Sequence, residues 1–496
     1  MPRSSAPAQQ TRSLPSEEEP GTWQEWLFKH FPHVCTAPFG KRHVSLWEWF
    51  ISLERGTKPR PRVEVWPRGG AKSATAELAT AHLGVEKQAR RKFVLYVCAT
   101  QDQADKHVAS IASLLEQAGV ERRLNKFGSP RAWRRNQLQC KNGFTVEALG
   151  LDTATRGIKV DEFRPDLIIF DDIDNQTDTP KTVEKKETAI KSEVITAGSN
   201  DVAVLVLQNL IHEIGIVNRI VENKVDFLLN REVPTVEPAV IDLVTETVDR
   251  GDGLMVHRVV GGTPTWEGQS LSVVEEQINE IGLRTFLREC QHEVKGADGY
   301  FFTNKELTLV SALPEDLGGW TFWLSADFAA TQDAGDWTAV VLMAMDPVGV
   351  LYVVRVWRKQ YSADNVRKML DDAIAWTEGR VGAFRLRLKQ DPGQAGKDQA
   401  EQLKKRYKAY RPTVKPDTGS KAHRAETWAE QWNTGNVRLV SDKKLPDAWK
   451  WNWAYTEEHR QFREDEEHEH DDMVDASADG CNAHKKPRRV VEITIY

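Results

Sequence analysis

The sequence has few cysteines, and no two of them lie close together. The five cysteines of the 496 residues, Cys35, Cys98, Cys140, Cys290 and Cys481, are scattered without a CxxC pair. This spacing excludes the usual ligand pattern of a structural zinc module. It also favours a reducing compartment over a disulfide framework.

Long apolar runs are also missing. No stretch approaches the roughly 20 residues that a membrane-spanning helix needs, so we expect no membrane association. The first 20 residues are rich in Ser, Pro, Gln and Glu and lack the apolar segment of a signal peptide. This composition predicts a disordered tail over residues 1–20.

An excess of positive charge is absent as well. Lys and Arg number 67 against 73 Asp and Glu, which gives a formal net charge of -6. A protein that coats nucleic acid would show the opposite balance, so any contact with nucleic acid must come from local patches. A globular chain of this length is too long for one ordinary core, and it predicts two domains with connectors.

The first half of the chain alternates between short apolar runs and amphipathic helices. Strands are predicted at Val63–Trp66, Phe93–Ala99, Phe144–Ala148, Leu167–Phe170 and Val202–Leu207. A helix over Asp102–Gly119 lies between two of them. This alternation predicts a doubly wound parallel sheet with helices on both faces, which is an α/β fold.

The second half begins differently, with strands joined by short turns. Strands Thr321–Asp327, Thr338–Met345 and Leu351–Trp357 predict an antiparallel meander, followed by further helices and a strand. Between the halves, two short helices suggest a connector. We predict a first domain at 21–250, a linker at 251–315, a second domain at 316–484 and a C-terminal tail at 485–496.

A candidate phosphate-binding loop follows the first predicted strand. Its members are Arg68, Gly69, Gly70, Ala71, Lys72 and Ser73. Such a loop requires backbone N–H groups at a helix N-terminus, a lysine for the β- and γ-phosphates and a hydroxyl for Mg²⁺. Trp66 and Ala71 replace the two glycines of the usual GxxxxGK[ST] pattern, so a plain glycine-rich turn remains an alternative.

Two acids at the end of a later strand complement this loop. After Leu167–Phe170, Asp171 suits the Mg²⁺ shell and Asp172 suits the orientation of an attacking water. A strand that simply ends in solvated acids is the alternative. Loop and acids together predict the hydrolysis of a nucleotide, with ATP and Mg²⁺ as the ligands.

A second set of acids is spread over the other half of the chain. Asp327 and Asp391 each end a strand, and Asp471 or Asp472 shares a helix face with Asp475. Two-metal cleavage of a phosphodiester needs three or four converging carboxylates on different elements. The pattern therefore predicts a nuclease that uses Mg²⁺ or Mn²⁺. We read 464–469, which includes His468, as a solvated acidic turn.

The order of these motifs resembles that of the large terminase subunit of tailed bacteriophages. The resemblance is carried by Pro67–Ser73, Arg156-Gly157, Arg164–Asp174 and Val206–Asn209 with His212, and in the second half by the three acidic positions. It implies an N-terminal P-loop (ASCE-type) ATPase domain, a linker and a C-terminal ribonuclease-H-like nuclease domain.

The resemblance also implies roles for further residues. Arg156 becomes a candidate arginine finger, with an ordinary loop arginine as the alternative. Gln208 and Asn209 stand at the coupling motif, which more often carries Gly-Thr. Asp336 matches a further acid, although a turn residue is the simpler reading. Lys421 and Arg424 lie near the family's DNA path, where the alternative is ordinary helix-surface charge.

The implied function is that of a DNA-packaging motor that also cuts concatemeric double-stranded DNA. Its expected partners are the portal protein, a small terminase subunit and other copies of itself. These copies are expected to form a ring on the portal, whereas the free protein is expected to be a monomer. Its expected location is the host cytoplasm during virion assembly rather than the mature virion. A repair or recombination helicase-nuclease and a non-catalytic scaffold protein are the alternatives.

Overall fold

The structure of the protein is a computed structural model. It describes residues 22–34, 37–86, 89–129, 133–153, 163–294, 301–304, 307–328, 337–360, 363–390, 394–416, 420–447, 450–463, 468 and 470–484. Two seven-stranded sheets and a two-stranded hairpin organise these residues.

The first sheet has seven strands, and its central ones are buried and rich in Val, Leu and Ile. The strands are β1 (Arg62–Val65), β2 (Phe93–Cys98), β3 (Gln137–Gln139), β4 (Thr145–Gly150), β5 (Leu167–Asp171), β6 (Ala203–Gln208) and β7 (Thr235–Val236). Their order is β3-β4-β2-β5-β6-β1-β7, and every pair is parallel except β3 with β4. Strands β1, β2, β4, β5 and β6 are largely buried and were predicted from their short apolar runs. The short edge strands β3 and β7 were not predicted, because neither carries such a run.

Helices cover this sheet. They are α1 (Trp23–His30), α2 (Lys41–Ser52), α3 (Lys72–Val85), α4 (Gln101–Gln117), α5 (Pro180–Ala189), α6 (Ile195–Ala197) and α7 (Ile216–Val221), with a π-turn at Ile190–Val194 between α5 and α6. Helix α4 buries Ala104, Val108, Ile111 and Leu115 along one face, as predicted. A capping box at Thr100 begins it, and Gly119 follows it with a φ of 78°.

The middle of the chain is more regular than the sequence suggested. Strands β8 (Val240–Asp249) and β9 (Met255–Pro264) form a long antiparallel hairpin, followed by a 3₁₀ turn at Glu267–Gln269. Helices α8 (Leu271–Ile281) and α9 (Leu283–Gln291) confirm the two predicted helices. The hairpin was missed because much of β8 is exposed and carries Asp, Thr and Glu rather than an apolar alternation. It spans residue 250, where we predicted a domain boundary.

The second sheet is mixed. Its strands are β10 (Thr308–Val310), β11 (Thr321–Asp327), β12 (Thr338–Met345), β13 (Leu351–Lys359), β14 (Arg385–Gln390), β15 (Thr413–Pro416) and β16 (Val437–Val440). Their order is β10-β16-β13-β12-β11-β14-β15. The pairs β11-β12 and β12-β13 are antiparallel, which confirms the predicted meander, whereas β14 joins β11 in parallel.

In the part of the chain that the structure describes, five helices accompany this sheet. They are α10 (Ala363–Val381), α11 (Gln394–Arg406), α12 (Lys421–Thr434), α13 (Asn452–Gln461) and α14 (Asp472–His484), with a 3₁₀ turn at Lys408–Tyr410. Helix α14 packs against α12 and against β11 and β12. A glycine permits this close approach, because a Cβ on Gly480 would lie 2.3 Å from Nε1 of Trp323. Gly480 therefore brings the acidic start of α14 next to the end of β11.

Among the described residues, Cys98, Cys140, Cys290 and Cys481 are buried, and none of them forms a disulfide. Within the described ranges, no helix is both long enough and apolar enough to cross a bilayer.

Candidate functional site

The predicted phosphate loop joins β1 to α3 in a tight backbone conformation. Gly69 and Ala71 have φ angles of 77° and 64°, and the N–H of Gly70 donates to the carbonyl of Pro67 at 2.9 Å. A Cβ on Gly70 would lie 2.8 Å from that same carbonyl, so this position requires glycine. Lys72 and the half-buried Ser73 begin α3, where first-turn N–H groups lack helical partners.

The lysine of this loop contacts one of the two predicted acids. Lys72 Nζ lies 3.0 Å from Oδ1 of Asp172, which follows β5 with a φ of 48°. Burial opposes the charge of Lys72, but the Asp172 and Asp171 carboxylates outweigh it and raise its pKa. The parallel order β1-β6-β5 explains the meeting, because the carboxyl ends of parallel strands share one edge.

The other acid is buried within a polar network. Asp171 accepts a hydrogen bond from the hydroxyl of Tyr96 at 2.7 Å, and burial together with the neighbouring Asp172 raises its pKa. The ring of His107 stacks on Tyr96 and lies 2.6 Å from Glu77 through Nδ1. Burial opposes protonation of His107, yet the two carboxylates, Glu77 and Asp171, raise its pKa. The sequence offered no signal that distinguishes Tyr96 or His107 from ordinary core residues.

The donor set at this edge fits a divalent cation bound with a nucleotide. Oδ1 of Asp171 is buried and receives no hydrogen bond from the described residues. Carboxylate oxygens are the ligands that Mg²⁺ prefers, together with phosphate oxygens. The Oδ1 atom of Asp171, which has no hydrogen bond from the described residues and lies near the lysine-bearing loop, is therefore suited to bind such an ion.

Gln208 and Asn209 lie next to the loop at the end of β6. The N–H of Trp66 donates to the carbonyl of Gln208 at 3.1 Å, and Oε1 of Gln208 accepts from the N–H of Asp174 at 3.3 Å. Asn209 Nδ2 donates to Oε2 of Glu289 at 2.8 Å. The same carboxylate oxygen lies 3.4 Å from Nη1 of the exposed Arg68. The two residues thus connect the loop to the neighbouring strand and to α9.

Three predicted residues lie outside the described parts of the chain. They are Arg156, Asp336 and Asp391. Their assigned roles, as arginine finger, further acid and metal ligand, therefore stay predictions.

The second predicted site brings together two distant acids around a lysine. Asp327 ends β11 and Asp475 lies in the first turn of α14; their side chains are 9% and 2% exposed. Lys389 of β14 places Nζ 3.1 Å from Oδ2 of Asp327 and 2.9 Å from Oδ2 of Asp475. Burial raises the pKa of Asp327 well above its ordinary value, against the attraction of Lys389. Lys389 was not predicted as a site residue, because a single lysine within a strand has no pattern that distinguishes it from other lysines.

The remaining acids of the cluster have separate cationic neighbours. Asp471 contacts Nζ of Lys421 at 2.5 Å and Nε2 of His468 at 3.0 Å. Burial alone would raise the pKa of Asp471, but these neighbours lower it. Asp472 lies 3.6 Å from Nη2 of Arg358.

One expectation about these neighbours is wrong, and another stays a prediction. His468 does not lie in a solvated turn: its side chain is 3% exposed and stacks on Phe462, which buries it beside Asp471. Lys421 and Arg424, predicted to contact DNA, are paired with acids, since Arg424 Nη2 lies 2.8 Å from Oδ2 of Asp475. Contact of the two cations with DNA stays a prediction.

The carboxylates of this site also fit divalent cations. Oδ1 of Asp475 is buried and receives no hydrogen bond from the described residues. Asp327 lies on the other side of the Lys389 ammonium that contacts Asp475. Within the described ranges, no three His, Cys, Asp or Glu side chains form a ready ligand group. Asp391, the third predicted ligand, is two positions beyond Lys389 and lies outside those ranges.

An ionic contact joins the two halves of the molecule. Glu426 of α12 accepts hydrogen bonds from Nε2 of Gln176 at 2.7 Å and from Nη1 of Arg288 at 2.6 Å. Burial opposes the charge of Glu426, but His423, Arg288 and Gln176 lower its pKa to about 2. Gln176 follows the acids of the first site, and Glu426 lies on the same helix as Arg424 of the second.

Comparison with protein families gives a match in the C-terminal part of the chain. Residues 324–483 match the family described as the terminase RNaseH-like domain. No curated protein matches the sequence.

Solved structures extend the likeness to most of the chain. The large terminase of a thermophilic bacteriophage, in complex with ATP-gamma-S, is 13% identical, with a TM-score of 0.53 over 90% of this chain and 99% of that one. The same phage protein in complex with ADP gives 0.51 over the same shares at 13% identity. A further crystal form of it gives 0.52 at 12% identity, again over 90% and 99% of the two chains. The chain has the fold of the large terminases, and the α/β class with a C-terminal ribonuclease-H-like domain is confirmed.

Proposed function

We propose that this chain is the motor and nuclease subunit of a viral DNA-packaging machine. It hydrolyses ATP to translocate double-stranded DNA into a procapsid, and it cuts concatemeric DNA with divalent metal ions. The observation that carries this proposal is the meeting of Asp327 and Asp475 at Lys389, within the region that matches the terminase RNaseH-like domain. The Lys72–Asp172 pair in the other domain supports the motor half.

In the motor half, the loop and the two acids divide the work. Backbone N–H groups at the start of α3 bind phosphate oxygens, and Lys72 exchanges its contact with Asp172 for the β- and γ-phosphates. Asp171 and Ser73 would hold Mg²⁺, and this ion would neutralise charge on the phosphates. Asp172, freed from Lys72, orients the attacking water. The ATP-gamma-S bound by the terminase of the thermophilic phage supports a nucleotide at this fold.

In the nuclease half, the acids would hold Mg²⁺ or Mn²⁺. Asp327 and Asp475 are the ligands best placed for this, with Asp391, Asp471 and Asp472 as further candidates. The bound ions supply activation of water and stabilisation of the leaving oxygen. Lys421 and Arg424, at the start of α12, would contact DNA phosphates after releasing their acidic neighbours.

The other expectations belong to the same proposal. The protein works with a portal protein and a small terminase subunit, as a ring on the portal and as a monomer when free, in the host cytoplasm during assembly. Arg156 would complete a nucleotide site, and Gln208 and Asn209 would couple hydrolysis to movement. Support for the coupling role comes from the contact of Asn209 with Glu289 of the linker helix α9.

The helicase alternative receives no support from the middle of the chain. A repair or recombination helicase-nuclease would normally carry a second ATPase-like domain, and the described residues between 210 and 320 contain only β7, the β8–β9 hairpin, β10 and short helices. A scaffold protein that had lost its chemistry would lack acids at the metal site. Asp327 and Asp475 are both present, and both contact Lys389.

A cross-comparison of two variants tests the proposal. Asp327→Ala should abolish metal-dependent plasmid cleavage and leave ATP hydrolysis intact, whereas Lys72→Ala should abolish phosphate release and leave cleavage. The exposed Lys106 of α4, paired with Asp102, provides a matched control as Lys106→Ala. Loss of both activities in both variants, with the fold retained, would contradict two separate sites.

A further inference from the structure

The ammonium of Lys389 lies between the two carboxylates that the proposed function assigns to metal ions. Its distances to Oδ2 of Asp327 and Oδ2 of Asp475 are 3.1 and 2.9 Å. The lysine side chain is 15% exposed, so water screens these contacts only weakly. Strand β14 holds it there, because β14 pairs in parallel with β11, the strand that ends in Asp327.

Two buried carboxylates this close together require positive charge. Without compensation they repel each other and lose hydration, and removal of one member of a buried ion pair is strongly destabilising. Lys389 supplies charge to both acids, and Arg424 supplies a second contact to Asp475. Asp475 uses Oδ2 for both cations and retains a buried Oδ1 without a hydrogen bond from the described residues.

We propose that Lys389 is a positioning residue that holds Asp327 and Asp475 together before metal binds and sets the divalent-cation concentration at which the nuclease site loads. This inference rests on the proposed nuclease function. A divalent cation bound by the same carboxylates meets the positive charge of Lys389, so loading either displaces the ammonium or works against its repulsion. In both cases the lysine lowers the affinity of the site for metal while it keeps the ligands in place.

The inference predicts two effects of opposite sign from one substitution. Lys389→Met keeps much of the side-chain volume and removes the charge. The midpoint of thermal unfolding in EDTA should fall, because two buried acids lose a partner. The affinity for Mn²⁺ should rise, on the order of tenfold, because repulsion is removed. A merely structural lysine would show the first effect without the second.

The measurement uses the full chain without nucleotide. Mn²⁺ binding is followed by calorimetric titration, and thermal unfolding is recorded with EDTA and with Mn²⁺. Asp327→Ala defines which binding heat belongs to this site. Lys389→Arg should resemble the unaltered protein, since it keeps the charge. Lys404→Met, at a lysine of α11 that is 41% exposed and paired with Glu401, is the matched control and should change neither quantity.

The outcomes separate this inference from the function on which it rests. Unchanged or weaker Mn²⁺ binding by Lys389→Met would overturn the inference and leave the nuclease proposal standing. If that variant unfolds in EDTA, recovery of the fold with Mn²⁺ supports the inference, and failure to recover overturns it. An unaltered protein that shows no Mn²⁺ binding sensitive to Asp327→Ala would overturn the nuclease proposal and the inference together.

Discussion

Each half of the molecule places a lysine against a pair of aspartates, but the pairs differ in burial. In the first, Lys72 comes from the loop before α3 and contacts Asp172, whose side chain is 45% exposed. In the second, Lys389 comes from a strand and contacts Asp327 and Asp475, both of them buried.

The difference in burial determines how easily each lysine can change partner. Asp172 can be hydrated when Lys72 leaves it, and ion pairs with an exposed member contribute little to stability. Asp327 and Asp475 have no such option, because a buried charge without a partner is costly. The first lysine is therefore suited to exchange between acid and phosphate, whereas the second keeps its acids in place until another cation arrives.

The largest predicted effect tests the buried acid of the first pair. Asp171→Asn keeps the shape of the side chain and removes the charge that would hold Mg²⁺. We expect ATP turnover to fall by more than about 100-fold, measured as phosphate release, with plasmid cleavage unchanged. Asp327→Asn should give the reverse. If Asp171→Asn or Asp327→Asn abolished both ATP turnover and plasmid cleavage, the two pairs would not serve separate activities.

A smaller effect is predicted for the hydroxyl that supports this acid. Tyr96→Phe removes the hydrogen bond to Asp171 and leaves a carboxylate oxygen without its donor. We expect the Mg²⁺ concentration for half-maximal ATP hydrolysis to rise about tenfold, as for other groups that orient metal ligands. Tyr455→Phe is the control, because its buried hydroxyl bonds Ser477 in the other half of the chain. It should lower stability by about 1 kcal/mol and leave the Mg²⁺ dependence unchanged.

The last prediction concerns stability rather than activity, at the contact that joins the two halves. Glu426 has a pKa of about 2 against an ordinary value of 4.5, so its charge stabilises the folded state above pH 4.5, and this contribution is lost as the pH falls towards 2. Glu426→Gln should lower the free energy of unfolding by about 2 kcal/mol at pH 7, with a smaller difference at pH 4. The exposed Glu401→Gln should show no difference in thermal unfolding midpoint at either pH. A Glu426→Gln effect that grew on acidification would contradict the assignment.

Regular elements with local signatures were predictable from the sequence. The apolar run of β5, the periodicity of α4 and the closely spaced strands β11 to β13 each express a short-range rule. The β8–β9 hairpin was not, because β8 is largely exposed and lacks an apolar alternation, and the contact of β9 with α8 is not visible in the sequence. Domain boundaries and the roles of Arg156 and Asp391 stay predictions.

The candidate sites divide along the same line. Lys72, Asp171, Asp327 and Asp475 were recognisable because strand ends and helix starts are readable from local sequence. Tyr96, His107, Lys389 and His468 were not, because each is an ordinary residue within its own element. Their importance arises from a neighbour on another strand or helix.

The sequence by itself determined the strands and helices, the carboxylates at their ends and the lysine at the start of α3, because local hydrophobic period and chemistry suffice for these. Only the tertiary structure decided which cation faces which acid. The parallel pairing of β14 with β11 and the close approach of α14 at Gly480 place Lys389 between Asp327 and Asp475. The strength of such contacts depends on distance and burial, and these are properties of the folded structure that the sequence does not give directly.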